Sequence, residues 1–288
     1  MKVSVFTPTY NRAATLLRCY YSLCSQTSKS FEWIIVDDGS TDNTEELVNA
    51  WIFEEKIKIS YFKQLNQGKH KAFNVGVEKA EGELFFCLDS DDSLVEEAIE
   101  QIINGWSEDC QIVGLIFCKG NMDGSMLGSE LPSVNNSTVE DLYFKHKVKG
   151  DKLMVFCTER IVNVPYPIIE NETFITEAYL YDILDVHYKW KLINKMIYLV
   201  EYQADGYSAR AIELLIKNPK GYALFFRNRV MRSRSKVNFQ TYLNAARYIN
   251  CCFISRDMIW FPGLSKSILI ISFPLALMLY TFKYRKKN

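Results

Sequence analysis

Two stretches decide the fold of this chain: Ile34-Ile35-Val36-Asp37-Asp38-Gly39-Ser40 and Leu84-Phe85-Phe86-Cys87-Leu88-Asp89-Ser90-Asp91-Asp92. In each, a short apolar run is followed at once by acidic residues. Such a run predicts a strand buried on both faces, as in a parallel sheet. Carboxylates that follow these strands lie at the carboxyl edge of the sheet, where open α/β folds bind ligands. Because like charges repel, so many acids in one place predict a cation, and a divalent metal carrying phosphates suits their oxygen atoms.

Strand and helix patterns alternate along roughly the first hundred residues. The predicted strands are Lys2–Thr7, Glu32–Val36, Ile57–Phe62 and Leu84–Leu88. The predicted helices are Arg12–Ser25, a helix capped by Asp42 that runs to about Trp51, Lys69–Ala80 and Val95–Trp106. This alternation predicts an α/β fold, with a mostly parallel sheet and helices on both faces. Later predictions are strands at Ile112–Cys118 and Met196–Tyr202, a helix at Thr176–Lys189, and mainly helix from Pro219 onward.

The composition is that of a folded protein, with 48% apolar and 24% charged residues in 288. We predict a catalytic domain over residues 1–215 and a helical region over residues 216–288. The eight cysteines include no Cys-x-x-Cys pair, which favours reduced thiols of a cytosolic protein. The apolar stretch near the start is too brief for a signal peptide, so a cytoplasmic location is expected.

Charge is distributed unevenly along the chain. Residues 215–288 carry 14 Lys and Arg against the single acid Asp257, whereas residues 1–214 carry 20 basic and 33 acidic residues. A basic, aromatic tail on an acidic body predicts an anionic partner, either nucleic acid or lipid. The five basic residues expected on one helical face are Arg227, Arg229, Arg232, Arg234 and Lys236, the alternative being an ordinary solvated helix.

The last segment favours lipid over nucleic acid. Ser267–Phe282 holds no charge, and as a helix it is about 24 Å long, shorter than the roughly 30 Å hydrocarbon core of a bilayer. Pro274 interrupts it, and Lys283-Tyr284-Arg285-Lys286-Lys287 follows as a basic terminus suited to anionic headgroups. We therefore predict peripheral attachment to the inner face of the cell membrane, with a buried helix or a short span as alternatives.

Several side chains at the predicted sheet edge suit a nucleotide and a metal. Alternation along the chain points Asp89 and Asp91 to one side, where two carboxylates suit a shared Mg²⁺ or Mn²⁺ and a diphosphate. The alternative is a helix cap formed by these polar residues. Tyr10 follows the first strand and suits stacking on a base, while Asp38 suits accepting a base N–H. The alternatives in the same region are that Asn11 caps the first helix and that Gly39 serves only a turn.

Together these motifs resemble the family 2 glycosyltransferases of the GT-A fold. The residues that carry the resemblance are Phe6-Thr7-Pro8-Thr9-Tyr10-Asn11-Arg12, Val36-Asp37-Asp38-Gly39-Ser40-Thr41-Asp42, Asn66-Gln67-Gly68-Lys69-His70-Lys71-Ala72-Phe73-Asn74, and Ala80-Glu81-Gly82-Glu83 with Leu88-Asp89-Ser90-Asp91-Asp92. The resemblance implies inverting transfer of a sugar from a nucleotide-diphosphate donor, most simply a UDP-sugar.

The resemblance also implies roles for individual residues. Those matching Pro8, Tyr10 and Asp38 hold the nucleobase. Asp89 lies near the ribose or the metal, and Asp91 ligates the metal, expected to be Mn²⁺ or Mg²⁺. The two lysines Lys69 and Lys71 are then neighbours of the donor, and Lys69 is our choice for contact with it.

The catalytic base of the family lies on or just before a helix that follows the metal motif. Glu177 occupies that place in this chain, and we predict that it is the base. Ala178 stands where a second acid is common, so Glu170 and Glu172 remain rivals. The alternative for Glu177 is an ordinary acid placed favourably at a helix start.

The resulting hypothesis is the transfer of one sugar to a lipid-linked or saccharide acceptor in cell-surface polysaccharide synthesis. Processive members of the family carry Gln-x-x-Arg-Trp, and no Arg-Trp pair occurs here, which favours single addition. One rival is a nucleotidyltransferase that makes sugar nucleotides, although the Gly-rich basic loop it needs after the first strand is replaced by Pro8-Thr9-Tyr10-Asn11. The other is a non-catalytic nucleotide-sugar-binding scaffold.

Overall fold

A computed structural model describes residues 2–201, 210–233, 237–256 and 263–284 of the chain. The chain divides into two compact units. The first comprises Met1–Tyr166 and His187–Glu201, and the second comprises Pro167–Val186 and Tyr202–Asn288. The predicted functional division at residue 215, between a catalytic domain and a helical region, stays a prediction.

The first unit is built on one sheet. In the described chain its strands are β1 (Val3–Thr9), β2 (Phe31–Asp37), β3 (Ile59–Lys63), β4 (Leu84–Cys87), β5 (Ser93–Leu94), β6 (Ile112–Asn121), β7 (Asn136–Ser137), β8 (Lys152–Cys157) and β9 (Lys189–Val200). Their order is β3-β2-β1-β4-β8-β6-β9-β5, and β7 pairs with β9. The four predicted N-terminal strands pair in parallel, as does β6 with β9, while β8 runs antiparallel to β4 and β6. The α/β prediction is confirmed.

Helices cover both faces of this sheet. The helices of the first unit are α1 (Ala13–Cys24), α2 (Thr44–Glu54), α3 (Lys69–Lys79), α4 (Ala98–Gly105), α5 (Val139–Phe144) and α6 (Thr158–Ile161). One face buries Val5, Trp33 and Phe86 in a core shared with α1, α2 and α4. The other face presents Phe6 to α3, where a Cβ on Gly76 would stand 2.5 Å from the ring. Glycine at that position therefore lets α3 approach the sheet closely.

Three predicted helix boundaries are wrong because tertiary contacts override the local pattern. The helix predicted from Asp42 starts at Thr44, and Asp42 instead accepts N–H bonds from Ala13 at 3.2 Å and Thr44 at 3.1 Å. The predicted helix Val95–Trp106 shortens to α4, because the residues before it pair with β9. The predicted helix Thr176–Lys189 is only Ala178–Leu184. Lys189 already begins β9, which pairs with β6 and ends at Val200, and the predicted strand end Tyr202 lies outside the described residues.

Residues 167–177 of the second unit form a loop, and its regular elements are helices over the described residues, which confirms the prediction of mainly helix beyond Pro219. Its helices are α7 (Ala178–Leu184), α8 (Ala211–Lys217), α9 (Pro219–Arg232), α10 (Phe239–Ser255) and α11 (Lys266–Leu279), with a π-helical turn at Tyr280–Tyr284. Its core contains Phe226 from α9, Ala246 from α10 and Ala276 from α11.

Strand β9 anchors the acidic loop that follows β4. The Tyr198 hydroxyl donates to Asp92 Oδ2 at 2.7 Å and accepts from the backbone N–H of Asp89 at 2.9 Å. The backbone N–H of Glu201 donates to the other Asp92 oxygen at 3.0 Å. Burial, reinforced by the charge of Asp89, raises the pKa of Asp92 to about 7. Asp92 therefore fastens the loop, while Lys119 Nζ lies 4.5 Å from the centroid of the Tyr198 ring.

Replacement of Tyr198 by Phe tests this anchor. The substitution keeps the ring but removes the hydroxyl, so the buried Asp92 carboxylate and the Asp89 N–H both lose a partner. We expect the free energy of unfolding to fall by about 1–3 kcal/mol, measured by urea denaturation. Tyr21→Phe is the control, because Tyr21 is 61% exposed on α1. Equal stability of the two variants would contradict the anchoring role.

Candidate active site

The first acidic cluster divides between a structural acid and a candidate binding acid. Asp37 Oδ1 accepts the Ser40 N–H at 2.7 Å, and its Oδ2 accepts the Tyr61 hydroxyl at 2.6 Å. The Asp38 carboxylate accepts from Gln64 Nε2 at 2.7 Å, from the backbone N–H of Gln67 at 2.8 Å, and from that of Gly68 at 2.7 Å. A carboxylate has about four acceptor positions, so Asp38 retains one.

Gly39 allows the chain to turn immediately after Asp38. Its φ is +87°, and a Cβ there would lie 3.0 Å from the Asn66 backbone nitrogen. Any other residue would therefore strain the turn and push away the loop that precedes α3. The sequence-based alternative, a turn glycine, describes this residue well.

Pro8 and Tyr10 lie at the same sheet edge as Asp38. Thr9 pairs with Asp37 in the parallel register of β1 and β2, and its carbonyl accepts the Asp38 N–H at 2.8 Å. Pro8 is half-buried, while the Tyr10 ring is 47% exposed. The edge therefore presents an accessible aromatic face close to a carboxylate.

Asn11 joins the ends of β1 and β2 rather than capping α1. It adopts a left-handed backbone conformation with φ of +51°. Its Oδ1 accepts the Thr41 N–H at 2.8 Å and its own N–H donates to Ser40 Oγ at 2.9 Å. The residue at the N-cap of α1 is Arg12. Asn11 thus fixes the loop that follows Asp38, a role that the sequence did not reveal.

Lys69 and Asp89 form an ion pair. Lys69 begins α3, and its Nζ lies 2.6 Å from Asp89 Oδ1. The side chains are 19% and 35% exposed. Burial opposes ionisation of Asp89, but the charges of Lys69 and Lys119 outweigh it and hold the pKa of Asp89 below its ordinary value. The structure therefore brings together two residues that the sequence assigns to the donor site, and Lys71 lies on the same first turn of α3.

Of the two predicted metal ligands, Asp91 lies in the environment that disfavours ionisation of its carboxyl group. Burial, and then the charge of Asp89, raise its pKa above the ordinary value, although Arg12 and Lys69 offset part of this. The Asp91 carbonyl is held by Arg18 Nη1 at 2.8 Å, and the same guanidinium pairs with Glu201. Nothing in the local sequence marks Arg18 for this task.

This pair of carboxylates fits a divalent metal. Within the described residues no group of three or more His, Cys, Asp and Glu side chains is arranged to hold a metal ion. Mg²⁺ and similar hard cations commonly take only one or two protein carboxylates and complete their shell with phosphate oxygens and water. A cation would also remove the unfavourable field that Asp89 imposes on Asp91.

Glu177 belongs to the second unit and lies just before α7. Its carboxylate is exposed, and the Tyr181 hydroxyl donates to Oε2 at 3.2 Å. It makes no side-chain cap of the helix. Its rival Glu170 is also exposed. The other rival, Glu172, is buried, and its two oxygens accept the N–H groups of Lys220 and Gly221, both at 2.7 Å. Glu172 therefore has a structural role at the start of α9, which favours Glu177 and Glu170 as base candidates.

The prediction that Arg229 and Arg232 lie on an open basic face is wrong. Arg229 Nε lies 2.6 Å from Asp182 Oδ2, and Arg232 Nη1 lies 3.1 Å from Asp182 Oδ1. Asp182 is buried, so these arginines neutralise an internal carboxylate that the sequence pattern does not connect to them. Two other residues of that predicted face, Arg234 and Lys236, lie outside the described residues.

Helix α11 has one packed side and one open apolar side. The packed side buries Ile268, Ser272 and Ala276 at intervals of four residues. The open side exposes Ile270, Ile271, Leu277 and Met278, and Phe282 of the π-helical turn is exposed as well. By length and composition alone, the 19 residues Lys266–Tyr284 suffice to cross a membrane. Arg285, Lys286 and Lys287 of the predicted basic terminus lie outside the described residues.

Proteins that are similar to this chain in sequence include several glycosyltransferases. An uncharacterised glycosyltransferase of Haemophilus influenzae is 30% identical over 175 residues, which are 60% of this chain and 68% of the relative. The GalNAc(5)-diNAcBac-PP-undecaprenol β-1,3-glucosyltransferase of Campylobacter jejuni is 29% identical over 62% of this chain and 56% of its own length. The chain spans only 16% and 38% of matching glycosyltransferases from Rickettsia felis and Nostoc.

Solved structures establish the fold. Residues 1–349 of S. aureus TarS with UDP-GlcNAc superpose with a TM-score of 0.64 at 18% identity, over 94% of this chain and 79% of that one. The mannosyltransferase PcManGT of Pyrobaculum calidifontis, in complex with GDP-Man and Mn²⁺, gives 0.60 at 16% identity, over 97% and 81%. These neighbours are GT-A glycosyltransferases, so the predicted GT-A fold is confirmed.

The family model described as glycosyl transferase family 2 matches residues 4–162, which are more than half of the chain. That range includes the Asp38 loop, Lys69 and the acidic loop from Asp89 to Asp92. The sequence resemblance, the fold and the geometry of this edge agree, and the chain belongs to glycosyl transferase family 2.

Proposed function

We propose that this protein is an inverting glycosyltransferase that moves one sugar from a UDP-sugar to a lipid-linked or saccharide acceptor. The observation that carries the proposal is the convergence of Tyr10, Asp38, Lys69, Asp89 and Asp91 at one edge of the sheet. Parallel pairing of β1 with β2 and β4 brings the ends of these strands together. An aromatic face, an acceptor for a base N–H, a lysine and two carboxylates are what a nucleotide diphosphate with a metal requires.

In the donor site, Pro8 and Tyr10 would contact the nucleobase, and the remaining acceptor position of Asp38 would receive a base N–H. Asp89 would lie at the ribose and the metal, with Lys69 close to the donor. The complex of TarS with UDP-GlcNAc supports a UDP donor, because that protein shares the fold. The name of the Campylobacter relative specifies an undecaprenol-linked acceptor, which supports a lipid-linked acceptor and a role in cell-surface polysaccharide synthesis.

Asp91 and Asp89 would hold the metal, Mn²⁺ or Mg²⁺. The neighbouring mannosyltransferase structure that contains Mn²⁺ supports a divalent ion at such a site. When bound, the metal would act as a Lewis acid that neutralises the charge developing on the departing diphosphate. Lys69, already in the field of Asp89, would add a second positive charge on the same side.

Glu177 would act as the general base. As the acceptor oxygen attacks the anomeric carbon, the hydroxyl proton passes to the Glu177 carboxylate. The bond from the anomeric carbon to the diphosphate oxygen breaks, and its electron pair leaves with UDP. A single displacement of this kind inverts the anomeric configuration, with the acceptor hydroxyl in the place that water takes in inverting glycosidases.

The first test is to incubate the full chain with a panel of UDP-sugars. We expect release of UDP that stops when EDTA is added and returns with Mn²⁺, because the leaving diphosphate needs a neutralising cation. Released UDP is measured with a coupled assay. Pyrophosphate-dependent nucleotide exchange would instead identify a nucleotidyltransferase. UDP-sugar binding without turnover would identify a non-catalytic scaffold.

Glu177→Gln tests the base. The amide cannot accept the acceptor proton, so we expect turnover to fall by about a hundredfold to ten-thousandfold while UDP affinity stays within about twofold. UDP affinity is measured by calorimetry and turnover by UDP release. Glu170→Gln is the matched control, since Glu170 is an exposed acid of the same segment. Normal turnover in the first variant together with loss in the second would move the base to Glu170.

We also propose that the open apolar side of α11 lies on the inner, cytoplasmic surface of the cell membrane. One side of the helix packs against α10, where the Phe253 ring lies 6.1 Å from Phe273 and 5.6 Å from Tyr280. Helix α10 also buries Asn244 and Asn250. Because α11 packs along α10, which contains buried polar side chains, α11 is better suited to lying on a membrane surface than to crossing the bilayer. The basic residues 285–287 suit anionic headgroups.

Sedimentation with phosphatidylglycerol-containing vesicles tests this surface. The double variant Ile270→Asp with Phe282→Asp places charges on the apolar side, where the two side chains are 72% and 80% exposed. We expect the vesicle-bound fraction to fall by at least about tenfold, because each buried apolar side chain contributes roughly 1.5–3 kcal/mol. Phe53→Asp is the control, since Phe53 is 90% exposed on α2. No binding by the unmodified chain, or equal loss in the control, would contradict the attachment.

A further inference from the structure

We propose that α9 holds the segment that carries Glu177 in a fixed position, with Glu172, Asn218 and Asp182 as the positioning residues. The inference rests on the proposed function, because it concerns the proposed base. The segment from Glu172 to Asp182 is held by α9 and the residue before it at three places, and Glu177 lies between them. All of these residues belong to the second unit.

The first attachment is between Glu172 and the start of α9. The two Glu172 oxygens accept the backbone N–H groups of Lys220 and Gly221, at 2.7 Å each. These donors have no partner within the helix, and the helix dipole favours a carboxylate there. A Cβ on Gly221 would lie 2.9 Å from the Phe174 carbonyl oxygen. The absence of a side chain at Gly221 therefore lets the segment lie directly against the helix.

The second attachment is Asn218, the residue before α9. Its Oδ1 accepts the N–H groups of Thr173 at 2.8 Å and Phe174 at 3.0 Å, and its Nδ2 donates to the Leu214 carbonyl at 2.9 Å. Asn218 is only 3% exposed. One buried amide thus fixes the backbone three to four residues before Glu177 and ties it to the end of α8.

The third attachment lies beyond Glu177. Asp182 on α7 is 4% exposed and pairs with Arg229 and Arg232, at 2.6 Å and 3.1 Å. Arg229 also lies over the Phe225 ring, with 4.4 Å from its guanidinium carbon to the centroid. Both arginines come from α9, so the same helix holds the segment on the other side of Glu177.

These charged and polar anchors act in addition to apolar packing, such as the stacking of the Phe174 ring on the Tyr222 ring of α9 with 5.8 Å between centroids. Buried ion pairs add little net stability compared with apolar packing, but they are directional. The anchors engage both oxygens of Glu172 and both oxygens of Asp182, whereas the carboxylate of Glu177 is exposed. A proton acceptor must lie within hydrogen-bond reach of its substrate, and a misplacement of about 1 Å costs on the order of a hundredfold in rate.

The test is a double-mutant cycle of Asp182→Asn and Glu177→Gln, read by UDP release from the UDP-sugar that gives turnover. Asp182→Asn keeps the shape but weakens the hold of both arginines. We expect kcat to fall about tenfold to a hundredfold with the donor KM within about twofold. In the Glu177→Gln background, Asp182→Asn should lower kcat no further, because the residue acts through Glu177.

The matched control is Glu213→Gln, an exposed acid of α8 that pairs with Arg210 and Lys217. It should leave kcat and KM unchanged. If Asp182→Asn does not fold, as judged by near-ultraviolet circular dichroism, Arg232→Lys replaces it, because Arg229 still holds Asp182.

Each other outcome contradicts the proposal that α9 positions Glu177. Unchanged kcat in Asp182→Asn, or the same proportional loss in both backgrounds, would show that α9 only stabilises the fold. A raised donor KM would show a general disturbance of the protein. Normal turnover in Glu177→Gln alone would contradict the role of Glu177 as the base, and therefore also the positioning role of α9. If Glu177→Gln loses turnover but Asp182→Asn does not, Glu177 remains the base and only the positioning role of α9 is contradicted.

Discussion

The mutual repulsion of carboxylates at the carboxyl edge of β2 and β4 is the constraint on which the first unit depends. The fold meets it by giving the acids different partners. Asp37 binds Tyr61, Asp38 binds the loop before α3, and Asp92 binds Tyr198. Asp89 pairs with Lys69. Asp91 remains in the field of Asp89, which is one cause of its raised pKa. The edge is thus short of positive charge around Asp91, which a bound cation would supply.

The sequence predicts this edge well but not what holds it. Apolar runs that end in acids are local signals, and they correctly indicated β2 and β4, which both pair in parallel with β1. The supporting residues carry no such signal. Arg18 binds the carbonyl of Asp91 from 73 residues away, and Tyr198 binds Asp92 across 106 residues. The predicted helix over residues 176–189 failed for a related reason, since pairing of Lys189 with Ile112 of β6 overrides the local pattern.

The count of basic residues in the C-terminal part led to a wrong prediction for α9. They suggested a continuous basic face, because a count registers every arginine but not its partner. Asp182 lies outside the basic segment in sequence, yet it engages both Arg229 and Arg232. The case for a membrane surface accordingly moves from charge on α9 to the exposed apolar side of α11. Periodicity does carry that information, because the buried residues of α11 recur every four positions.

The two units share one way of fixing the segment that carries a candidate site carboxylate. In the first, Asp92 is buried and its two oxygens accept one hydrogen bond each, from Tyr198 and from a backbone N–H, which fixes the loop that carries Asp91. In the second, Glu172 is buried and its two oxygens accept one backbone N–H each, which fixes the segment that carries Glu177. A buried carboxylate is costly unless its oxygens are fully bonded, so it is stable in only one arrangement. That directionality makes it a suitable anchor for the backbone that carries the neighbouring acid. An acid close in sequence to a candidate catalytic acid is therefore not automatically a rival for its role, because its burial and its bonds to two backbone N–H groups give Glu172 the task of holding the backbone.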